Sequence, residues 1–242
     1  MRVTVAQTSP KLNRSNLEDV TTIIKEQNSC SDLIVFPELA LSGYMLQDKL
    51  HEDAWKIEEL EILADLSQYV DIAVGAALRE EKLFRNAALY FSEGKLLSKH
   101  IKVHLPNYGM FEEARYFEDG EGFEVFMAGE KKISMLVCED IWHESVHKEL
   151  IALNPDIILV LAASPARGFS DDGLSIEKKW YKIIQEVAKE CRAELVFVNR
   201  VGFEDGLGFW GGSCAVDKQG NIIKSLSKFE TAIETVEIEG KK

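Results

Sequence analysis

Several runs in this chain are apolar at every position, among them Leu33-Ile-Val-Phe36, Ile157-Ile-Leu-Val-Leu161 and Leu195-Val-Phe-Val198. A strand with one wet face alternates polar and apolar residues. Unbroken Val/Ile/Leu/Ala stretches instead belong to strands covered on both sides. The pattern predicts strands over residues 3–7, 33–36, 72–78, 85–91, 96–102, 124–127, 133–137, 157–161, 195–199, 213–217, 222–225 and 232–236. Turn residues at 92–94, 128–130 and 218–221 predict hairpins. Amphipathic helices fall between strands. One runs from the polar cap at 13–16 to about residue 27, with Leu17, Val20, Ile23 and Ile24 on one face. A second is marked by Trp55, Leu60, Leu63 and Leu66, a third spans 144–153, and a fourth spans 175–191, burying Ile176, Trp180, Ile183, Ile184 and Val187. The alternation predicts an α/β fold, a mixed sheet covered by helices. With no linker or break in composition, residues 1–242 read as a single domain.

Charge narrows the function. Asp and Glu number 41 against 28 Lys and Arg, a formal net charge of −13. That surface repels phosphate backbones and anionic lipid, so neither nucleic acid nor a membrane surface is an expected partner. No apolar run reaches the ~20 residues that span a bilayer, and the amino-terminal segment lacks a signal-peptide core. Cys30, Cys138, Cys191 and Cys214 form no CxxC pair and no zinc-type spacing, so a reducing cytoplasm is the expected home. No metal, flavin or nucleotide cofactor is implied, since the glycines lack the spacing of a phosphate loop.

Three strand ends carry residues suited to acyl transfer. Cys138 closes the apolar run 133–137 and enters Glu139-Asp140-Ile141-Trp142. A sharp turn there would expose the thiol, aim backbone N–H groups at the same point and lower the thiol pKa. Glu38 follows Phe36-Pro37, where proline ends the strand ladder. In a dry cleft its pKa would rise, fitting it to take and return a proton. Lys102 ends another strand, placed to stabilise an oxyanion. His104 reads as a structural hydrogen-bonding residue, because the glutamate already fills the role of base. Glu113 lies in an aromatic loop with Tyr108, Phe111 and Tyr116. Taken singly, each residue has a bland reading as filler cysteine, loop acid or surface lysine. Their joint occurrence at strand ends points to hydrolysis of a carbon–nitrogen bond through a thioester. The long aperiodic segments 103–121 and 162–174 both follow strands, where α/β folds build their sites.

Phe-Pro-Glu-Leu followed by Ser-Gly-Tyr, Lys-Val-His-Leu-Pro-Asn-Tyr-Gly, and Val-Cys-Glu-Asp-Ile-Trp occur here in that order. Together they resemble the nitrilase, or carbon–nitrogen hydrolase, superfamily over essentially the whole chain. The resemblance implies a four-layer αββα sandwich that usually dimerises, with a Glu–Lys–Cys triad at Glu38, Lys102 and Cys138. A second glutamate, orienting lysine and substrate, matches Glu113. In the implied cycle Glu38 deprotonates Cys138, the thiolate attacks an amide carbon, and Lys102 with the N–H of Glu139 holds the oxyanion. Ammonia or amine leaves, and water activated by Glu38 cleaves the thioester.

Within the superfamily, residues 105–109, 113–117 and 138–143, with Ala163-Ser-Pro165, Asn199-Arg-Val-Gly202 and Gly211-Gly-Ser213, look most like the glutaminase domain of glutamine-dependent NAD synthetases. That branch implies substrate contacts from Tyr108, Phe111, Glu139 and Ser164, and Arg167 stands close to where it places a cation for the substrate carboxylate. The 242 residues hold no Ser-Gly-Gly-x-Asp motif for ATP, so a free-standing unit that cannot make NAD alone is expected. Three functions follow: an amidase for small linear amides, a glutaminase-type subunit feeding ammonia to a separate synthetase, or a non-catalytic binding module. An intact set of Glu38, Lys102 and Cys138 argues against the third.

Overall fold

The computed structural model describes residues 1–171 and 173–239. The first part of the chain builds one six-stranded sheet. Arg2–Gln7 (β1) leads into the helix Asn16–Gln27 (α1), and Leu33–Val35 (β2) returns parallel to β1 with Leu33 beside Val3. Two short helices, Leu50–Asp53 (α2) and Glu61–Leu66 (α3), precede Asp71–Glu80 (β3), which is parallel to β2. Leu83–Ser92 (β4) and Lys95–Ile101 (β5) then fold back as successive antiparallel neighbours.

The second part repeats the scheme. Phe126–Ala128 (β6) pairs antiparallel with Lys131–Val137 (β7), and Glu144–Leu153 (α4) crosses over to Ile157–Ala162 (β8), parallel to β7. A two-stranded hairpin of Phe169–Ser170 (β9) and Gly173–Leu174 (β10) comes before Ser175–Cys191 (α5). Glu194–Asn199 (β11) lies parallel to β8. Val201–Glu204 (β12) and Leu207–Trp210 (β13) make a separate hairpin. Cys214–Val216 (β14) and Ile222–Ser225 (β15) finish the second sheet, and Ala232–Glu237 (β16) crosses back to pair antiparallel with β1. The strand orders are β16-β1-β2-β3-β4-β5 and β15-β14-β11-β8-β7-β6.

The unbroken apolar runs are explained by three greasy layers. Val3, Val5, Leu33 and Val35 of the first sheet meet Met135, Val137, Leu159 and Val198 of the second. The alternate residues Ile34, Phe36 and Val74 pack beneath Val20, Ile24 and Leu63 of α1 and α3. On the far side Leu136, Val160 and Phe197 pack beneath Leu150, Trp180 and Ile184 of α4 and α5. The architecture is therefore helix, sheet, sheet, helix, an α/β sandwich of four layers. Among the described residues no helix is long and apolar enough to cross a membrane.

One local expectation needs correction, and one element was not foreseen. The helix marked by Trp55 begins later: Trp55 itself is extended and bridges to Leu78, and its indole N–H donates to the Leu41 carbonyl at 3.1 Å. The Glu59 carboxylate accepts from the Lys56 N–H at 2.8 Å, so the chain first makes a single 3₁₀ turn, Ile57–Leu60, before α3. The β12–β13 hairpin was not anticipated. Its strands are four residues each and each contains a glycine, and its reversal at Asp205-Gly206 uses left-handed backbone at both positions.

Candidate active site

Four of the residues singled out for chemistry sit just past the carboxyl end of a strand: Glu38 after β2, Lys102 after β5, Cys138 after β7 and Ser164 after β8. The sandwich thus brings an acid and an ammonium from one sheet up to a thiol from the other.

At the first strand end, Phe36 N–H still bonds to Ala73 O at 2.8 Å, and the chain then turns through Pro37 and Glu38 to Leu39, whose φ is +50°. The turn lies so close to β3 that a Cβ on Gly75 would stand 2.4 Å from Pro37 O and 2.6 Å from Glu38 Cα. Only glycine leaves room there. Glu38 is wholly buried. Its Oε1 accepts from Lys102 Nζ and from Asn86 Nδ2, both at 2.7 Å, and its Oε2 accepts from the Ala163 N–H at 2.8 Å.

Lys102 is also wholly buried. Its Nζ lies 2.8 Å from both carboxylate oxygens of Glu113 and donates to Oε1. Burial alone would drive the Lys102 pKa down, but Glu113 and Glu38 outweigh it and hold the ammonium well above its ordinary range. Glu113 opens a single helical turn and also accepts from the Tyr44 hydroxyl at 2.6 Å. Burial raises the Glu113 pKa to about 7, opposed by Lys102 and reinforced by the charge of Glu38. Burial, then Glu113 and Glu38, pushes the Tyr44 phenol well above its usual value, so it stays a neutral donor.

Cys138 follows β7 in a left-handed conformation, φ +45°, and opens the 3₁₀ turn Cys138–Trp142. A β-strand that reverses through such a residue turns its side chain out of the sheet, as the sequence led us to expect. The expectation of a lowered thiol pKa is overturned. Burial first, then the charge of Glu38, drives the thiol well above its ordinary value, and the opposing pull of Lys102 is the smaller influence. Two carboxylates share one ammonium here, so the resting state is a neutral thiol.

Cys138 and Glu113 line a cavity of about 360 Å³. Tyr108, Phe111, Glu139, Ser164 and Arg167 all line the same cavity, so all five residues singled out from the resemblance are brought together there. Glu38 and Lys102 are not in its wall. The Tyr108 hydroxyl donates to both Glu139 oxygens, at 3.0 and 2.9 Å, and the Arg167 guanidinium lies 5.2 Å from the Phe111 ring. Ser164 Oγ accepts from the indoles of Trp180 (2.8 Å) and Trp210 (3.3 Å). His104 bonds through its backbone; its ring stacks on His143 at 3.6 Å.

Sequence reasoning missed Tyr44, Asn86 and Lys179. Tyr44 belongs to the Ser-Gly-Tyr stretch that carried part of the resemblance, so a signal was present. Asn86 is hidden inside an ordinary strand, and Lys179, which also lines the cavity, looks like any surface residue of an amphipathic helix.

The family model for carbon-nitrogen hydrolases matches residues 2–241. The chain belongs to the carbon-nitrogen hydrolase family. Among curated family relatives, the glutamine-dependent NAD(+) synthetase of Thermotoga maritima is 32% identical over 99% of this chain and 42% of its own. The solved structure of the Acinetobacter baumannii glutamine-dependent NAD+ synthetase superposes with a TM-score of 0.86 at 30% identity, covering 97% of this chain and 44% of that one. An amidase of Nesterenkonia sp. AN1 shares the fold with a TM-score of 0.83 at 23% identity, over 99% of this chain and 93% of that one. The chain spans less than half the length of either of these two synthetases.

Proposed function

We propose that this protein hydrolyses the carbon–nitrogen bond of a small linear amide through a thioester on Cys138, releasing ammonia or an amine. The observation that carries this reading is the buried Glu38–Lys102–Glu113 cluster, every link at 2.7–2.8 Å, acting electrostatically on Cys138 in the wall of a cavity that Glu113 also lines. Because the resting sulfur is a neutral thiol, its proton moves to Glu38 as sulfur attacks the amide carbon. Lys102 and the N–H of Glu139 face the oxygen as it becomes anionic. The Glu38 proton then leaves with the departing nitrogen, and the same carboxylate activates the water that opens the thioester. Glu113 keeps Lys102 charged and orients the amide. In this reading residues 1–242 act as one domain, assemble as a homo-oligomer, need no cofactor and work in the cytoplasm, where the thiol stays reduced.

A glutaminase-type role, supplying ammonia to a synthetase, is a second reading favoured by one feature of the cavity. Arg167 and Lys179 line it together with Glu139, cations and an anion that complement the carboxylate and ammonium of an amino-acid amide. The relatives named as glutamine-dependent point the same way.

The test is ammonia release from a panel holding glutamine, asparagine and short aliphatic amides, with acid-quenched intact mass to catch the acyl adduct. Wild type is expected to turn over at least one amide and to carry an acyl mass on Cys138. Cys138→Ala is expected to fold normally and release nothing; ammonia release above background from that variant overturns the assignment. Preference for glutamine over aliphatic amides, lost in Arg167→Ala, selects the second reading.

A further inference from the structure

Asp140 lies two residues beyond Cys138, is wholly buried, and touches neither the cavity nor the Glu–Lys–Glu cluster. Its carboxylate accepts four hydrogen bonds. Oδ2 takes the Val137 N–H at 3.0 Å and faces His100 Nε2 at 2.9 Å; a carboxylate only accepts, so that nitrogen carries the proton. Oδ1 takes the N–H groups of Val103 at 3.0 Å and His104 at 2.9 Å. Val137 precedes Cys138, and Val103 follows Lys102. The Val137 N–H, one residue before the thiol, and the Val103 N–H, in the peptide that follows Lys102, therefore hang from one rigid planar carboxylate that is bonded to both sheets. His100, held against the Phe123 ring at 5.3 Å, steadies that group from within β5.

We propose that Asp140 is a positioning residue that fixes the separation of Cys138 from Lys102 across the junction of the two sheets, an inference that rests on Cys138 being the nucleophile. All four partners are donors, so the site requires a charged acceptor with two oxygens. An asparagine of the same shape must turn its NH₂ toward two of those donors and so releases one side of the joint. A shift of about 1 Å between reacting groups is enough to cost about 100-fold in rate.

The test is Asp140→Asn, assayed well below its melting midpoint for kcat and KM on an amide the wild type hydrolyses, alongside the rate of Cys138 alkylation by iodoacetamide. The expected result is a fall in kcat of about 100-fold, KM within about threefold, and an alkylation rate altered about tenfold. A lowered melting midpoint with kcat and alkylation unchanged means that Asp140 only supports the fold, and overturns the inference. Should Asp140→Asn not fold, His100 decides. His100→Gln, which keeps an N–H for Oδ2, is expected to stay near wild type, while His100→Leu loses about tenfold in kcat at unchanged KM. Equal kcat in those two variants overturns the inference. Cys138→Ala separates the layers of the argument: if it still turns over, the nucleophile reading fails, and if it is dead while Asp140→Asn is fully active, only the positioning role fails.

Discussion

At the scale of single residues, the site is governed by an imbalance of charge. Two carboxylates, Glu38 and Glu113, share one buried ammonium at 2.7–2.8 Å. The thiol beside them is pushed up, so its alkylation in the free protein is expected to accelerate about tenfold per pH unit from about pH 7 to about pH 9 without levelling. A plateau before about pH 8 would show a thiolate that this electrostatic picture does not allow. The Glu113 carboxyl, raised by burial to about 7, gives a second handle. Below that pH it becomes neutral and Lys102 loses a partner, so kcat/KM is expected to fall on the acid side with a limb near pH 7. Tyr44→Phe removes a hydroxyl that favours the carboxylate form, and the limb should move to higher pH. A wild-type profile that is flat between about pH 6 and about pH 8 contradicts this assignment.

At the scale of elements, the side chains proposed to be catalytic are placed by strand ends whose backbones have almost no freedom. Gly75 in β3 shows how little: a Cβ there would meet Pro37 O, Leu39 N and Glu38 Cα, all within 2.6 Å and all backbone. Gly75→Ala must push the Glu38 turn outward. It is expected to cost about 1–3 kcal/mol in urea unfolding and to lower kcat by about 100-fold. Unchanged activity would mean that Glu38 tolerates displacement. β2 and β8 were legible because their apolar runs are unbroken, a pattern that water-facing segments cannot sustain, whereas β5 reads Lys-Leu-Leu-Ser-Lys-His-Ile and is half polar. Glu38, Lys102 and Cys138 were legible because they occur jointly, each directly after a strand and within motifs that stand in a set order. What escaped reading was set by contacts distant in sequence. Tyr44 is held by Glu204, which accepts from the Tyr44 N–H at 2.7 Å and from Arg200 at 2.6 Å, partners some 160 positions away that no local pattern reveals. Asn86 likewise gains its meaning only from Glu38. The thiol pKa was misjudged because a turn's N–H groups are visible in sequence, whereas the depth of burial and the second carboxylate are not. The β12–β13 hairpin did leave a trace in Asp205-Gly206, a dipeptide suited to tight reversal.

At the scale of the molecule, the net charge of −13 sets a background of self-repulsion. The ion pairs on the surface, such as Lys148–Glu144 and Lys182–Glu186, are exposed and offset little of it. Raising ionic strength from roughly 0.01 M to roughly 0.15 M shortens the screening length to about 8 Å. The melting midpoint is expected to rise by about 2–4 °C, equivalent to about 1 kcal/mol for a domain of this size. A midpoint that falls in calorimetry would show that the exposed pairs matter more than the surplus of acids. The division of labour between the sheets has a consequence for the life of the chain before it is finished. β1 to β5 position Glu38 and Lys102, β7 positions Cys138, and β16 crosses back from the second half to pair with β1. Under the proposed chemistry, a nascent polypeptide leaving the ribosome is inert. It gains the capacity to form an acyl bond only when its two leaves have closed on each other, so immature copies neither consume metabolites nor trap themselves as dead-end adducts.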